Sequence, residues 1–282
     1  MIVGIICGYY RSGTTPMQMY IEKLQGNRLA VIHEPCNRDI VDMIKEVGIN
    51  NIDTLHNYTI FNGYGHIEKE LFDEFIEKHN EVFKNHDNGT IMFDYKDTIR
   101  LLDIIDTSDY DFVIKTTQSI PLLDKLTNRY ECWGLSTVRR IAVNTYNHFP
   151  SIEEFKIALK RKNMGAFYVD EVFDAITRRY KESVNPFNVI DKLVYNIATC
   201  NSVIMSYRNN TRIYIIDFDD FVYRPHRYKH ELPFDLNHDI FSQVFSVSKL
   251  NKPDNFVIEC IEQSIGNMFM KKMIGIKYAT KI

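Results

Sequence analysis

The chain has 282 residues, 45 % of them hydrophobic and 25 % charged, with a formal net charge of -3. That is ordinary globular composition, with enough length for one large core or two small ones. The near balance of charge excludes a global basic field for nucleic acid, so an anionic ligand needs a local site.

Ile2–Ile6 is an apolar run and reads as a buried strand. It leads into Cys7-Gly8-Tyr9-Tyr10-Arg11-Ser12-Gly13-Thr14-Thr15. Residues 16–24 follow as a helix, with Met17, Tyr20, Ile21 and Leu24 at three-to-four spacing. Leu29–His33 is the second strand and ends in Glu34-Pro35. Asn37 or Asp39 is the expected cap of a helix carrying Ile40, Met43, Ile44 and Val47. Residues 50–65 read as irregular, with Asn62-Gly63 a turn signal. A charged amphipathic helix is expected over 66–85, a short strand over Thr90–Phe93, and a helix over 97–106. Phe112–Ile114 is a strand ending in Lys115-Thr116-Thr117, followed by a helix over 119–129. A strand from Cys132 to Val138 is closed by Arg139-Arg140. Helices are expected over 141–148, 152–163, 167–182 and 187–208. Arg212–Asp217 is the last strand. Asp219 and Asp220 are expected to cap a turn after it, before a polar loop at 226–237 and helices over 238–248 and 254–272.

Strands thus alternate with helices, which predicts an α/β fold: a mostly parallel central sheet flanked by helices. One domain is expected over 1–282, with helical additions around 50–90 and 150–210 and a helical C-terminus. The five cysteines are widely spaced without a CxxC pair, which suits a reducing compartment and suggests neither a zinc site nor a disulfide framework. No basic leader precedes the first strand and no run of 18 apolar residues occurs. No membrane span is expected, and the expected location is cytoplasmic.

The chemistry gathers at the first turn. Gly8 and Gly13 permit a tight loop with inward N–H groups, and the helix start adds unpaired N–H groups and partial positive charge. An oxyanion is the natural ligand. The spacing G-x-x-x-x-G-T-T approaches the nucleotide phosphate loop, with Thr14 where that loop has lysine and Arg11 carrying the positive charge instead. Arg11-Ser12-Gly13-Thr14-Thr15 resembles the phosphosulfate loop of the PAPS-dependent sulfotransferases: a strand, Lys/Arg-Ser-Gly-Thr-Thr, then a helix. In loop pattern it is similar to the tyrosylprotein and carbohydrate sulfotransferases.

Two later stretches resemble the same family. Arg139 falls on the arginine of its second signature, R-x-P-x-x-x-x-x-S, with Ile141 in place of the proline and Asn147 in place of the serine. Ile215–Val222 with Pro225 resembles the family's "Y-E-D-L-V…P" stretch, a structural piece. The resemblance spans residues 2–225. It implies a P-loop-like sulfotransferase fold and sulfuryl transfer from 3'-phosphoadenosine 5'-phosphosulfate (PAPS), leaving 3'-phosphoadenosine 5'-phosphate (PAP). The implied donor contacts are Tyr10, Arg11, Ser12, Gly13, Thr14 and Thr15 at the 5' end, and Arg139 and Asn147 at the 3' phosphate. Tyr195 is open to adenine stacking or to plain core packing.

For the base, the resemblance points to Glu34. His33 is the rival, since an unperturbed pKa of about 6.5 suits that task. Side chains alternate along a strand, so only one of the two faces the cleft. Lys115 is placed to steady the bridging oxygen or to bind an acidic acceptor. Lys96 and Arg100 either meet an anionic acceptor or form a solvated helix face. The acceptor is a hydroxyl or amine of a small molecule, carbohydrate or peptide, and no metal is required. Two alternatives stay open. One is a P-loop kinase using ATP–Mg, with Asp94 or Asp217 as the metal-handling carboxylate. The other is a non-catalytic sulfotransferase-like binding protein.

Overall fold

The structure is a computed structural model and describes residues 1–52, 58–87, 89–166, 168–182, 184–245 and 252–269. Its strands are β1 (Ile2–Cys7), β2 (Ala30–His33), β3 (Phe112–Thr116), β4 (Trp133–Val138) and β5 (Ile213–Asp217). They pair in the order β2-β3-β1-β4-β5, every pairing parallel. Continuous apolar runs in these strands follow from burial on both faces. Ile6, Val31, Val113, Leu135 and Ile216 face one core cluster, while Ile5, Ile32, Phe112 and Ile114 face the other.

The first cluster is covered by α1 (Thr14–Gln25), α10 (Phe218–Tyr223) and α11 (His238–Val244). Over the other lie α2 (Ile40–Val47), α3 (Lys69–Lys84), α4 (Tyr95–Asp106), α5 (Leu123–Arg129), α8 (Asp170–Tyr180) and α9 (Val189–Ser206). The short α6 (Ile141–Tyr146) and α7 (Ile152–Ala158) follow β4. Helix α12 (Asn255–Phe269) packs on α9 and α6.

Register aligns the C-terminal ends of the strands. His33 lies opposite Lys115, Cys7 opposite both Thr116 and Ser136, and Val138 opposite Asp217. The chain works on the β3 side of β1 first and the β4 side afterwards. The crevice at the strand ends beside β1 is where open α/β sheets place their ligands.

Several expectations change in detail. Thr90–Phe93 is not a strand but a turn, closed by Asp94 N–H donating to the Ile91 carbonyl at 2.8 Å. Ile91 and Met92 are buried there with no strand paired to them among the described residues, while Thr90 donates to Gln118 at 2.5 Å. Neither Asn37 nor Asp39 caps α2 through its side chain; Asn37 accepts from the Asp39 N–H instead. The stretch after β5 is helix α10 rather than a turn, capped by Asp217, whose carboxylate accepts from the Asp220 N–H at 3.0 Å. Residues 58–66 pack into the core through Ile60, Phe61 and Tyr64. At Gly63 a Cβ would lie 2.0 Å from the Val31 carbonyl oxygen, so the turn must come flush against β2. The 226–237 loop buries Tyr228 and Leu232. The remainder of the 50–65 stretch at 53–57, and the helix ends expected at 246–248 and 270–272, lie outside the described residues.

Candidate functional site

β1 ends in the middle of the sheet, and the chain turns through Gly8–Gly13 into α1. The two glycines are there for space. A Cβ on Gly8 would fall 2.4 Å from Thr137 Oγ1, and one on Gly13 would fall 2.2 Å from the Phe218 ring. Gly13 also has φ +104°. Arg11 adopts φ +62°, a left-handed backbone that a non-glycine residue rarely takes. It is held by the Ser12 N–H donating to the Tyr9 carbonyl at 3.0 Å and by Arg139 Nη1 donating to the Arg11 carbonyl at 3.3 Å. Arg11's side chain is exposed; Ser12 is buried and hydrogen-bonded to Thr137 at 2.8 Å. Thr14 is buried and Thr15 half-buried at the start of α1.

Glu34 is the second left-handed non-glycine residue at this edge, with φ +51°. Such strain concentrates at functional sites because the surroundings must over-determine it. Here they do. Lys115 Nζ donates to Glu34 Oε1 at 2.5 Å, and Thr117 gives its N–H (2.9 Å) and hydroxyl (3.2 Å) to Oε2. The Glu34 N–H donates to the Lys115 carbonyl at 2.7 Å. Glu34 and Lys115 are 3 % and 4 % exposed, so this is a buried ion pair. Tyr10 lies beside it, its hydroxyl accepting from Gln118 at 3.1 Å. Burial, and then the Glu34 charge, push the Tyr10 hydroxyl and the Cys7 thiol well above their usual pKa values. Neither group is suited to give up a proton.

His33 does not join this set. Its Nδ1 meets Gln18 Oε1 at 2.7 Å, and its ring packs edge-on to Phe61. Gln18 passes its amide to Glu22 and to the Ile60 carbonyl, so His33 belongs to a buried strut between β2 and α1.

The second anchor also differs from expectation. Arg139 is buried, and its Nε and Nη2 both donate to Asp219 Oδ1, at 2.8 and 2.7 Å. Its guanidinium lies 5.4 Å from the Phe218 ring centre. Asn147 spends its side-chain N–H on the Val143 carbonyl of its own helix at 2.8 Å. Tyr195 is 2 % exposed, packed edge-to-face on Phe173, with its hydroxyl donating to Glu182 at 2.5 Å. It is a core residue and offers no face to an adenine.

Further residues appear that the sequence did not single out. His148 is buried and stacks on Tyr168, with Tyr9 and Tyr10 completing an aromatic group. Burial, reinforced by the Arg11 charge, lowers its pKa to about 3, against a weak contact with the Tyr10 backbone. Among the described residues, buried polar atoms without a hydrogen-bond partner concentrate near the ends of β1 and β4: Ser136 Oγ, both amide atoms of Asn144, Thr145 Oγ1, both ring nitrogens of His148 and Asp219 Oδ2. Asp219 was legible through the third motif, though only as a cap. His148 carried no sequence signal, because its setting is made by Tyr168, ahead of α8, and by Tyr9 of the loop together.

Of the more remote candidates, Lys96 is exposed, and Arg100 is paired with Asp97 and Glu81. Asp94 caps α4 by accepting from the Asp97 N–H at 2.9 Å. His86, Asp94 and Asp97 bring three potential metal-ligating atoms within 4.8 Å of one another, a grouping the sequence reading did not foresee. Two of the three are tied into a network with Arg100. No helix among the described residues is long and apolar enough to cross a membrane.

No protein-family model matches this chain, and no curated protein matches it. Among solved structures it is similar to the sulfotransferase domain from the Synechococcus PCC 7002 olefin synthase: 14 % identity over 92 % of this chain and 82 % of that one, TM-score 0.41. It is also similar to a sulfotransferase from Alicyclobacillus acidocaldarius, at 12 % identity over 96 % and 95 % of the two chains, TM-score 0.38. A third is mouse sulfotransferase SULT7A1 complexed with PAP, at 9 % identity over 97 % and 86 %, TM-score 0.41. Likenesses this distant leave the functional reading to rest on the residues of this chain.

Proposed function

We propose that this chain transfers a sulfuryl group from PAPS to a hydroxyl or amine of an acceptor. The observation that carries the reading is the meeting, at one sheet edge, of the Gly8–Gly13 loop with its exposed Arg11 and the buried Glu34–Lys115 pair. The residues present fit a phosphorylated nucleotide. The buried hydroxyl and amide atoms of Ser136 on β4 and of Asn144 and Thr145 on the helix that follows it have no partner of their own and suit such a ligand.

In this reading Tyr10, Arg11, Ser12, Gly13, Thr14 and Thr15 hold the 5' end of the donor. The bound donor supplies the sulfuryl group and a phosphate as leaving group. Helix-start N–H groups and Arg11 stabilise the charge that develops there, and one preorganised contact of this kind is worth about 2.7–4 kcal/mol. Glu34 takes the acceptor's proton. A carboxylate has about four lone-pair sites, and three of Glu34's are used by Lys115 and Thr117. Lys115 holds Glu34 in place and brings positive charge to the bridging oxygen.

The ATP–Mg alternative is weakened by Thr14 at the lysine position and by Asp94 and Asp217 serving as helix caps. The Arg139–Asp219 pair gives the non-catalytic alternative its support, because it neutralises an arginine otherwise free for a phosphate. Calorimetric titration with PAP, beside ADP and ATP–Mg, tests all three. Selective binding of PAP followed by transfer to an acceptor is the expected result. Preference for ATP–Mg, or binding without any transfer, overturns it.

A further inference from the structure

Three arginines stand at this edge, and they are not equivalent. Arg139 is 6 % exposed and three of its five N–H donors are engaged, one on each nitrogen: Nε and Nη2 by Asp219, Nη1 by the Arg11 carbonyl. Arg11 and Arg140 are exposed, and among the described residues neither has a carboxylate within 4 Å. Arg140 directly follows Arg139 at the start of α6, and its charge is felt at Asp217 on the end of β5. Arg11's charge is felt on the other side, at His148 and Tyr168.

From this arrangement we infer that Arg11 and Arg140 are the direct anion ligands of the site, and that Arg139 is a positioning residue which, clamped by Asp219, holds the Arg11 carbonyl and so the left-handed loop. The inference rests on the donor reading for its natural ligand, a nucleotide with two separated anionic groups. Its physical basis is independent of that reading. A guanidinium already matched by a buried carboxylate has its charge compensated and only its leftover N–H groups to offer a phosphate. An exposed guanidinium loses only hydration.

The test titrates PAP, and separately inorganic pyrophosphate, into the full chain and its variants. Arg140 is exposed, so Arg140→Ala should fold normally. It is expected to lose tenfold or more in affinity for either probe, with Arg140→Lys recovering most of the loss. Asp219→Asn separates the two roles of Arg139 by sign. If Arg139 were a direct ligand, removing its competing carboxylate would tighten anion binding. As a positioning residue released from its clamp, it should weaken binding a few-fold, and that effect should vanish in an Arg11→Ala background. Arg140→Ala binding both probes within twofold of the parent overturns the inference, as does tighter binding by Asp219→Asn. A parent protein that binds pyrophosphate but not PAP overturns the donor reading alone, and the pyrophosphate series then decides the arginine assignment. A parent that binds neither overturns both.

Discussion

Lys115 Nζ and Glu34 Oε1 lie 2.5 Å apart and join the ends of two neighbouring strands, with both side chains 5 % exposed or less. Breaking such a pair from one side leaves an uncompensated buried charge, at a cost of about 3–5 kcal/mol. Glu34→Leu and Lys115→Met should each lower urea-unfolding stability by about 3 kcal/mol. The double variant should recover much of that loss. Additive losses would mean that the pair is not coupled as the geometry requires.

Turnover should separate Glu34 from Arg11. Glu34→Gln keeps an acceptor for Thr117 and is expected to leave PAP affinity within about twofold, while cutting transfer by about 100-fold or more. Arg11 is exposed, so Arg11→Ala should change stability by less than about 0.5 kcal/mol. Its PAP affinity should nevertheless fall at least about tenfold, or about 1.4 kcal/mol. Transfer by Glu34→Gln at the parent rate removes Glu34 as the base.

Gly13→Ala meets two obstacles: φ of +104°, and the Phe218 ring 2.2 Å from the new Cβ. A loss of about 2 kcal/mol or more is expected from strain and overlap together. Adding Phe218→Ala should relieve the overlap and leave the backbone strain. Thermal melting of the two variants reads the difference.

His148 has a folded pKa of about 3, below its ordinary value. The unfolded chain therefore binds a proton at this residue first as pH falls. Stability is lost between about pH 6.5 and pH 3, by about 2 kcal/mol at pH 5 from this residue. His148→Phe keeps a ring against Tyr168 and should flatten that part of the pH profile. Denaturant unfolding at pH 7 and pH 5 is the measurement, and an unchanged profile in His148→Phe would refute the assignment.

Glu22 shifts the other way. Burial raises its carboxyl to about 8, opposed by a hydrogen bond from Gln18. The folded state holds this proton more tightly than the unfolded chain, so stability falls as pH rises from about 4.5 to about 8. Glu22→Gln keeps the acceptor for Gln18 and removes the ionisation. It should stabilise the protein at pH 8 by up to about 3 kcal/mol and have little effect at pH 4, where Glu22 is neutral in either state.

Much of the scaffold was legible because its signals are local. The apolar runs of β1, β3 and β5, the glycine turn before α1, and the three-to-four spacing of the long helices depend on near neighbours only. Thr90–Phe93 shows the limit. Its apolar residues announce burial, but a strand also needs a partner, and pairing is a long-range property. Tyr195 shows it from the other side, since spacing along a helix does not say which face looks into a cleft.

At the site the division is sharper. The sequence alone determined the loop's chemistry, from the glycines, the arginine and the two threonines before a helix, and it placed Glu34 and Lys115 at strand ends. Only the tertiary structure decided that these two meet, that His33 turns away to Gln18, and that Arg139 is already matched by Asp219, 80 residues later in the chain. The physical reason is that a charge's partner is set by strand order and register. These come from how the whole sheet buries its apolar faces, which no short stretch encodes.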